Sequence, residues 1–240
     1  MTQPIAELTL ADWRRRVAEL YAEVRRRAAT DPVGAVEHWR AVREDLFRTH
    51  PDSPVLPAER VAFRAQHFPI EPALRFEVTV EPEAEAAPAA QPAEPAQPAE
   101  PAAAGSAFGN LGPISFGTVA LDLPTSGGGA MAFRRIGWVE VPFAAGRRRL
   151  AVYWMEGYAG GLFLPFRDAT NRTETYGAGR YLLDAAKSAD LGGDPSRGTL
   201  ILDFNFAYQP SCAFDPQWSC PLAPRENWLD VPVRAGERIA

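Results

Sequence analysis

The segment TLILDFNFAY, residues 199–208, sets the strictest terms for folding this chain. Strand alternation would put Leu200, Leu202, Phe204, Phe206 and Tyr208 on one face, with Asp203 and Asn205 on the other, one pleat apart. Two strongly polar side chains among Ile201, Leu202, Phe204 and Phe206 cost roughly 1–3 kcal/mol each if buried without partners. They must therefore be exposed, satisfied in a network, or part of a site. The run then enters a loop dense in proline and aromatics that carries both cysteines, Cys212 and Cys220.

Around this segment the chain divides into three stretches. Residues 1–81 read as a helical segment plus a first strand. Thr9 and Asp12 have the spacing of a capping box ahead of a stripe of Leu10, Trp13, Val17, Leu20, Tyr21 and Val24. Asp31-Pro32 opens a second helix, with stripe residues Val33, Val36, Trp39, Val42, Leu46 and Phe47, which ends before His50-Pro51. A third helical turn is expected after Pro57. Residues 73–81 alternate strictly, Leu74, Phe76, Val78 and Val80 against Arg75, Glu77, Thr79 and Glu81, as a half-buried strand does. Residues 82–107 hold six prolines and no aromatic or β-branched residue, so they read as a disordered Pro/Ala/Glu-rich insertion that would reach about 80 Å if extended.

Residues 108–240 read as a β domain. Ile114–Leu123 and Phe133–Phe143 flank the turn PTSGGGA and predict a hairpin; further strands are expected at 149–156, 162–167, 180–184, 199–208 and 229–233. The fold class is α+β: N-terminal helices packed on a mainly antiparallel barrel or bent sandwich of about eight strands, with 1–81 and 108–240 forming one globular unit.

The net charge of −5 comes from the insertion, because residues 81–107 carry five Glu and no basic residue. The remainder is near neutral, which argues against nucleic acid as a partner. The Arg triplets at 14–16, 25–27 and 147–149 read as solvated faces. Lys187 is the sole lysine among 25 basic residues, which reads as compositional bias toward Arg. No apolar run is long enough to span a membrane, and the first residues lack the apolar core of a secretory signal, so the expected location is cytoplasmic.

Several long pieces resemble one family: YWMEGYAGGLFLPFRDAT, TETYGAGRYLLD, DFNFAYQPSCAFD, CPLAPREN and VRAGER, with WRAVREDLFRTHPDSPV near the N-terminus. They are similar to the bacterial proteins grouped as domain of unknown function 1684. The acidic Pro/Ala stretch departs from that family's more compact connection. The resemblance implies no activity.

Candidate site residues therefore come from the polar face. If the strands at 180–184 and 199–208 pair, Arg180 could meet Asp203 or Asp184, leaving Asn205 to orient a ligand. Asp168, Thr170, Thr175, Tyr176, Glu226 and Asn227 could converge on the same barrel mouth and bind a small polar or anionic molecule. A hydrolase-like enzyme is the alternative, with Asp203 or Glu226 as carboxylate base. A structural network with no ligand site is the third reading.

The Cys212–Cys220 spacing is not that of a zinc site; a disulfide there would close a nine-residue loop worth roughly 2.5 kcal/mol, yet a reducing cytosol favours free thiols. His38, His50 and His67 all precede the β domain and read as packing or capping residues, although they could reach the barrel in space. No cofactor motif is present and no metal is expected; Gly177-Ala178-Gly179 reads as a tight turn. Trp138, Trp154, Phe163, Phe166, Trp218 and Trp228 read mainly as core, or as lining of an apolar pocket.

Overall fold

A computed structural model describes residues 5–83, 119–157 and 160–239. Two antiparallel helices come first, α1 (Ala6–Ala28) and α2 (Pro32–Thr49). Helix α2 starts as its sequence predicts: the Asp31 carboxylate accepts the Gly34 N–H at 2.9 Å, Pro32 occupies the first turn, and the helix stops at His50-Pro51. Helix α1 does not. It begins at Ala6 without a side-chain cap, so Thr9 lies inside it and Asp12 instead pairs with Arg15 and Arg16 one turn on. The good helix formers Ala6, Glu7 and Leu8 carry the helix back past the expected cap. Residues following Pro57 form turns rather than a helix; a short 3-10 turn comes later, at Pro72–Leu74.

Seven strands follow: β1 (Arg75–Pro82), β2 (Val119–Pro124), β3 (Ala130–Phe143), β4 (Gly146–Met155), β5 (Gly161–Phe166), β6 (Arg180–Asp184) and β7 (Thr199–Asp203). They form one antiparallel sheet in the order β6-β5-β4-β3-β1-β7, with β2 beside β3. The sheet curls into a half-barrel whose edges touch at one bridge, where Tyr181 and Tyr208 exchange backbone hydrogen bonds of 2.9 and 3.1 Å. Most of the expected insertion, residues 84–107, lies outside the described residues, as do residues 114–118 of the expected hairpin. Pro82 and Glu83 belong to the fold: Pro82 ends β1, and the Glu83 carboxylate takes both Arg135 (2.7 and 2.9 Å) and the Trp138 indole (3.0 Å).

Each face of the sheet buries its own core. The helices contribute Leu20, Tyr21, Val24, Val36 and Trp39 against Phe133, Tyr153, Phe163, Tyr181, Phe206 and Tyr208. The opposite face buries Val78, Val139, Val141, Leu150, Val152, Phe166, Leu202 and Phe204 beneath the C-terminal residues Leu229, Val231, Val233 and Ala235. Each fully buried large apolar side chain here is worth about 1.5–3 kcal/mol. A bulge in β3 lets one strand serve both cores. Phe133 faces the helices, the register shifts between Arg135 and Gly137, and Val139 and Val141 then face the other way. Only glycine fits at the bulge, since a Cβ on Gly137 would stand 2.3 Å from the Glu81 carbonyl oxygen.

Two expected strands are corrected. The 199–208 strand ends at Asp203, because its carboxylate captures the Asn205 N–H at 3.0 Å and starts a 3-10 turn, Phe204–Phe206. That turn moves Phe206 and Tyr208 from the Leu202 face to the helix-side core. Residues 229–233 form no strand, as Pro232 removes a ladder donor; the segment bends at Asp230 and Val231, with Leu229 N–H on the Arg167 carbonyl and Ala169 N–H on that of Val231.

This C-terminal segment folds back through Gly236, whose φ is +75° and whose Cβ position would lie 2.3 Å from the Ala207 carbonyl oxygen. Gly236→Ala is therefore expected to cost at least roughly 1–3 kcal/mol from backbone strain. Urea unfolding checks it; an unchanged midpoint at unchanged slope would contradict it.

Candidate functional site

The polar residues singled out in the sequence are all placed, but not at one mouth. Arg180 is fully buried at 1% exposure. Its guanidinium donates to the carbonyls of Val233 (2.8 Å), Ala235 and Glu237 (3.1 Å), and to Asp168 Oδ2 (3.2 Å). It does not pair with Asp203, because β6 and β7 lie at opposite ends of the sheet and meet only beyond Asp203, nor with Asp184 at the far end of its own strand, which takes Tyr208 and Lys187 instead. Burial draws the guanidinium pKa below its usual value, while Asp168 opposes that shift. Asp168 is itself occupied, accepting from Val233 N–H (2.6 Å) and from the Thr170 hydroxyl (2.6 Å), which in turn meets Thr175 at 2.9 Å.

Asp203 and Asn205 form a second network. Asp203 Oδ1 accepts the Asn205 N–H and side-chain amide, and Oδ2 accepts Arg75 at 3.2 Å. Burial raises the Asp203 pKa despite these partners. The Asn205 amide spans the backbone of Glu71, accepting its N–H at 2.8 Å and donating to its carbonyl at 2.9 Å, as a strand neighbour would. Asn227 stitches the sheet in a third network, bonding both Ala151 N–H (2.7 Å) and C=O (2.9 Å) and the Pro165 carbonyl (2.8 Å). Glu226 accepts the Tyr153 hydroxyl at 2.8 Å beside Arg135. Tyr176 donates to the Cys212 carbonyl at 3.2 Å, and burial lifts its pKa to about 12. Asn171 ties Tyr176 to the Asp168 brace, accepting the Asp168 N–H at 2.6 Å and donating to the Tyr176 carbonyl at 2.5 Å. Among the described residues no side-chain hydrogen bond joins the Arg180, Asp203 and Asn227 networks to one another, so the expected convergence at a barrel mouth is replaced by separate internal braces.

The histidines stand apart too. His50 caps α2, with Nε2 3.3 Å from Asp12 and Nδ1 accepting Asp52 N–H at 3.1 Å. His67 is wedged edge-on against Trp39, ring centres 5.9 Å apart, and burial pulls its pKa down to about 4.

A concave site lies elsewhere, in the seam between the helices, the β3–β5–β6 side of the sheet and the 209–221 loop. It is a cavity of about 400 Å³, walled by Trp13, Phe47, Phe133, Met155, Phe163, Tyr181 and Trp218, with Arg14, Arg43, Asp52, Asp184, Lys187, Gln209, Ser211, Ser219 and Cys220 as its polar groups. Of the aromatics expected to line a pocket, Phe163 and Trp218 do so. Lys187 is placed by a tight return of the chain: it ends the 3-10 turn Ala185–Lys187, Ser188 is left-handed at φ +53°, and Asp184 and Ala189 close the loop with hydrogen bonds of 2.9 and 3.0 Å. Its ammonium lies 3.6 Å from Asp184 and 5.7 and 5.5 Å from the ring centres of Tyr181 and Tyr208. The Tyr208 hydroxyl donates to Asp184 at 2.8 Å; burial, reinforced by that carboxylate, holds its pKa well above the usual value. Arg43 reaches the cavity after pairing with Glu237 at 2.6 Å, and that pairing outweighs burial to raise its pKa. The sequence signal for this site was the sole lysine.

A family model described as protein of unknown function (DUF1684) matches residues 115–238. A solved structure, the solution NMR structure of an uncharacterized protein of Haloarcula marismortui, is 26% identical, with a TM-score of 0.54 over 88% of this chain and 96% of that one. No curated protein matches the chain. No helix among the described residues is long and apolar enough to cross a membrane, and none of their His, Cys, Asp and Glu side chains group as a metal site.

Two expectations follow from the braces. Arg180→Met should cost about 3–5 kcal/mol in urea unfolding by leaving Asp168 buried without its counter-charge, and adding Asp168→Asn should restore part of it; a loss below about 1 kcal/mol would contradict the brace. For His67, the unfolded ring takes a proton near pH 6.5, whereas the folded ring resists it down to about 4. Its contribution to stability is therefore present above about pH 6.5 and lost as pH falls toward 4. His67→Gln should flatten that part of the stability–pH curve, and an unaltered curve would rule the assignment out.

Proposed function

The chain belongs to the family of proteins of unknown function DUF1684, and from its seam cavity we propose that it binds a small amphipathic anion. The observation that carries this reading is Lys187: in a chain that uses Arg at every other basic position, the one lysine stands on the wall of a cavity faced mainly by aromatic and aliphatic side chains. A volume of about 400 Å³ suits a metabolite-sized body. The aromatic walls would take its apolar part, and the Lys187 ammonium its anionic group, with Arg14 nearby. Arg14 lines the same cavity and makes no ion pair among the described residues. Aromatic walls lower the local dielectric, which strengthens a charge–charge contact there relative to water.

The ligand expected from the sequence, a small polar or anionic molecule, is kept, and its site moves from the barrel mouth to the seam. Asp203 and Glu226 lend a hydrolase-like reading little support, because their carboxylates are engaged by Asn205 and Arg75 and by Tyr153. Nucleic acid is not the partner we assign, since the Arg triplets are largely engaged with acids of their own surface: Asp12, Glu23, Glu140, Asp230 and Glu81. A cytoplasmic location accords with two reduced thiols.

The test uses 1-anilinonaphthalene-8-sulfonate, a probe with an apolar body and one anionic group. Fluorescence titration should show one saturable site per chain. Lys187→Met, which keeps the aliphatic stem, should weaken it about tenfold, or about 1.4 kcal/mol, with the melting temperature little changed. Equal affinities for the wild type and Lys187→Met would overturn the reading.

A further inference from the structure

Cys212 and Cys220 are both buried and not joined to each other. They are nevertheless held face to face by different parts of the fold. Cys212 lies in the 3-10 turn Ser211–Ala213. Cys220 is anchored to the β2–β3 turn, its N–H donating to Ser126 Oγ at 3.0 Å and its carbonyl accepting Ser126 N–H at 2.9 Å. The Cys212 N–H points at Cys220 Sγ at 3.4 Å. The Tyr176 hydroxyl stands 3.7 Å from Cys212 Sγ. Cys220 lines the seam cavity on the same wall as Lys187.

A thiolate here has donors on several sides. Hydrogen bonding from Cys220 outweighs burial, and with Ser126, Tyr176 and the Lys187 charge it lowers the Cys212 thiol to about 6, while Cys220, holding the shared proton, is pushed up. Buried cysteines that only fill space sit in apolar surroundings, which raise the pKa and leave the sulfur inert. Cys212 has the opposite environment, and Cys220 beside it opens onto the cavity.

We infer that Cys212 and Cys220 form a reversible dithiol–disulfide site that exchanges with a low-molecular-weight disulfide entering through the cavity. The incoming molecule meets Cys220 first. With the shared proton shifted to Cys212, the Cys220 thiolate displaces one sulfur of the disulfide, giving a mixed disulfide and one small thiolate. That thiolate takes the proton from Cys212 and leaves as a thiol. The Cys212 thiolate then displaces the second small thiolate, which leaves protonated from solvent, and the Cys212–Cys220 bond closes. The protein loses two electrons and the small disulfide gains them. Transient pairs of this kind are the sort compatible with a reducing compartment. The site goes beyond the ligand reading and does not depend on it.

Oxidised glutathione is the probe, applied to the full chain at pH 6.5 with intact-mass and peptide-mass readout. The native wild type should lose two hydrogens, yield a linked 212–220 peptide, and recover on adding dithiothreitol. Closure should be at least about tenfold faster than in the same chain unfolded in urea, whose thiols are mostly protonated at that pH. Cys212→Ser should stop at one glutathione on Cys220. Thiols that stay open to alkylation in the native wild type, adducts that never close, or closure no faster than in the unfolded chain would each overturn the proposal. The wild-type measurements stand whether or not the serine variant folds.

Discussion

The buried guanidinium of Arg180 is the constraint on which the rest of the architecture hangs. A charge that cannot be shed must be matched inside the protein, and here the match is three consecutive odd-numbered carbonyls, those of Val233, Ala235 and Glu237, plus Asp168. That arrangement fixes a segment with no ladder of its own against the sheet, and the segment covers the second core with Val231, Val233 and Ala235. It also delivers Glu237, whose carboxylate receives Arg43 from α2 and the Gln209 N–H. One ion pair thus locks the C-terminus to the barrel, and a second locks the helices to the C-terminus. Arg43 and Gln209 both line the seam cavity, so the cavity inherits its shape from this chain of contacts.

Much of this was legible where the cause is local. The Asp31-Pro32 start of α2 needs only neighbouring residues, and so does the alternation that places Phe76, Val78 and Val80 in one core. The β6 boundaries, 180–184, matched as well. Local reasoning failed where two local preferences compete. Thr9 could cap a helix, but Ala6–Leu8 extend it; Asp203 could sit in a strand, but its carboxylate captures the Asn205 N–H instead. The β3 bulge was hidden for another reason. Its glycine answers to a backbone oxygen of β1, distant in sequence.

The candidate site divides in the same way. Sequence could say that Arg180, Asp203, Asn205 and Asn227 must have partners, and they do. It could not say which, because most of those partners are backbone groups of Glu71, Ala151, Pro165 and residues 233–237, and a backbone carbonyl has no letter. Arg180 paired with Asp168, which had been placed near it but assigned to ligand binding, while Arg75, the partner of Asp203, had been read only as the outer face of a strand. Lys187 reads in the sequence only as a compositional exception. What composition cannot supply is position, and the turn Ala185–Lys187 put the exception on the cavity wall.

The distribution of satisfied and underused groups is what favours the seam over the barrel end in the proposed reading. Asn227 makes three hydrogen bonds to backbone and Asp168 accepts from Arg180, Val233 and Thr170, so neither can take a ligand without losing a brace of similar strength. In the seam the balance reverses. Lys187 has one carboxylate at 3.6 Å and two ring faces, contacts it can exchange for a stronger anion at modest cost. Cys220 faces the same space, with the Cys212 N–H directed at its sulfur. Rigidity from the braces and spare capacity in the seam are complementary. A cavity whose walls are held by Arg180 and Glu237 can present Lys187 and Cys220 in a fixed geometry, which the proposed recognition and exchange would both require.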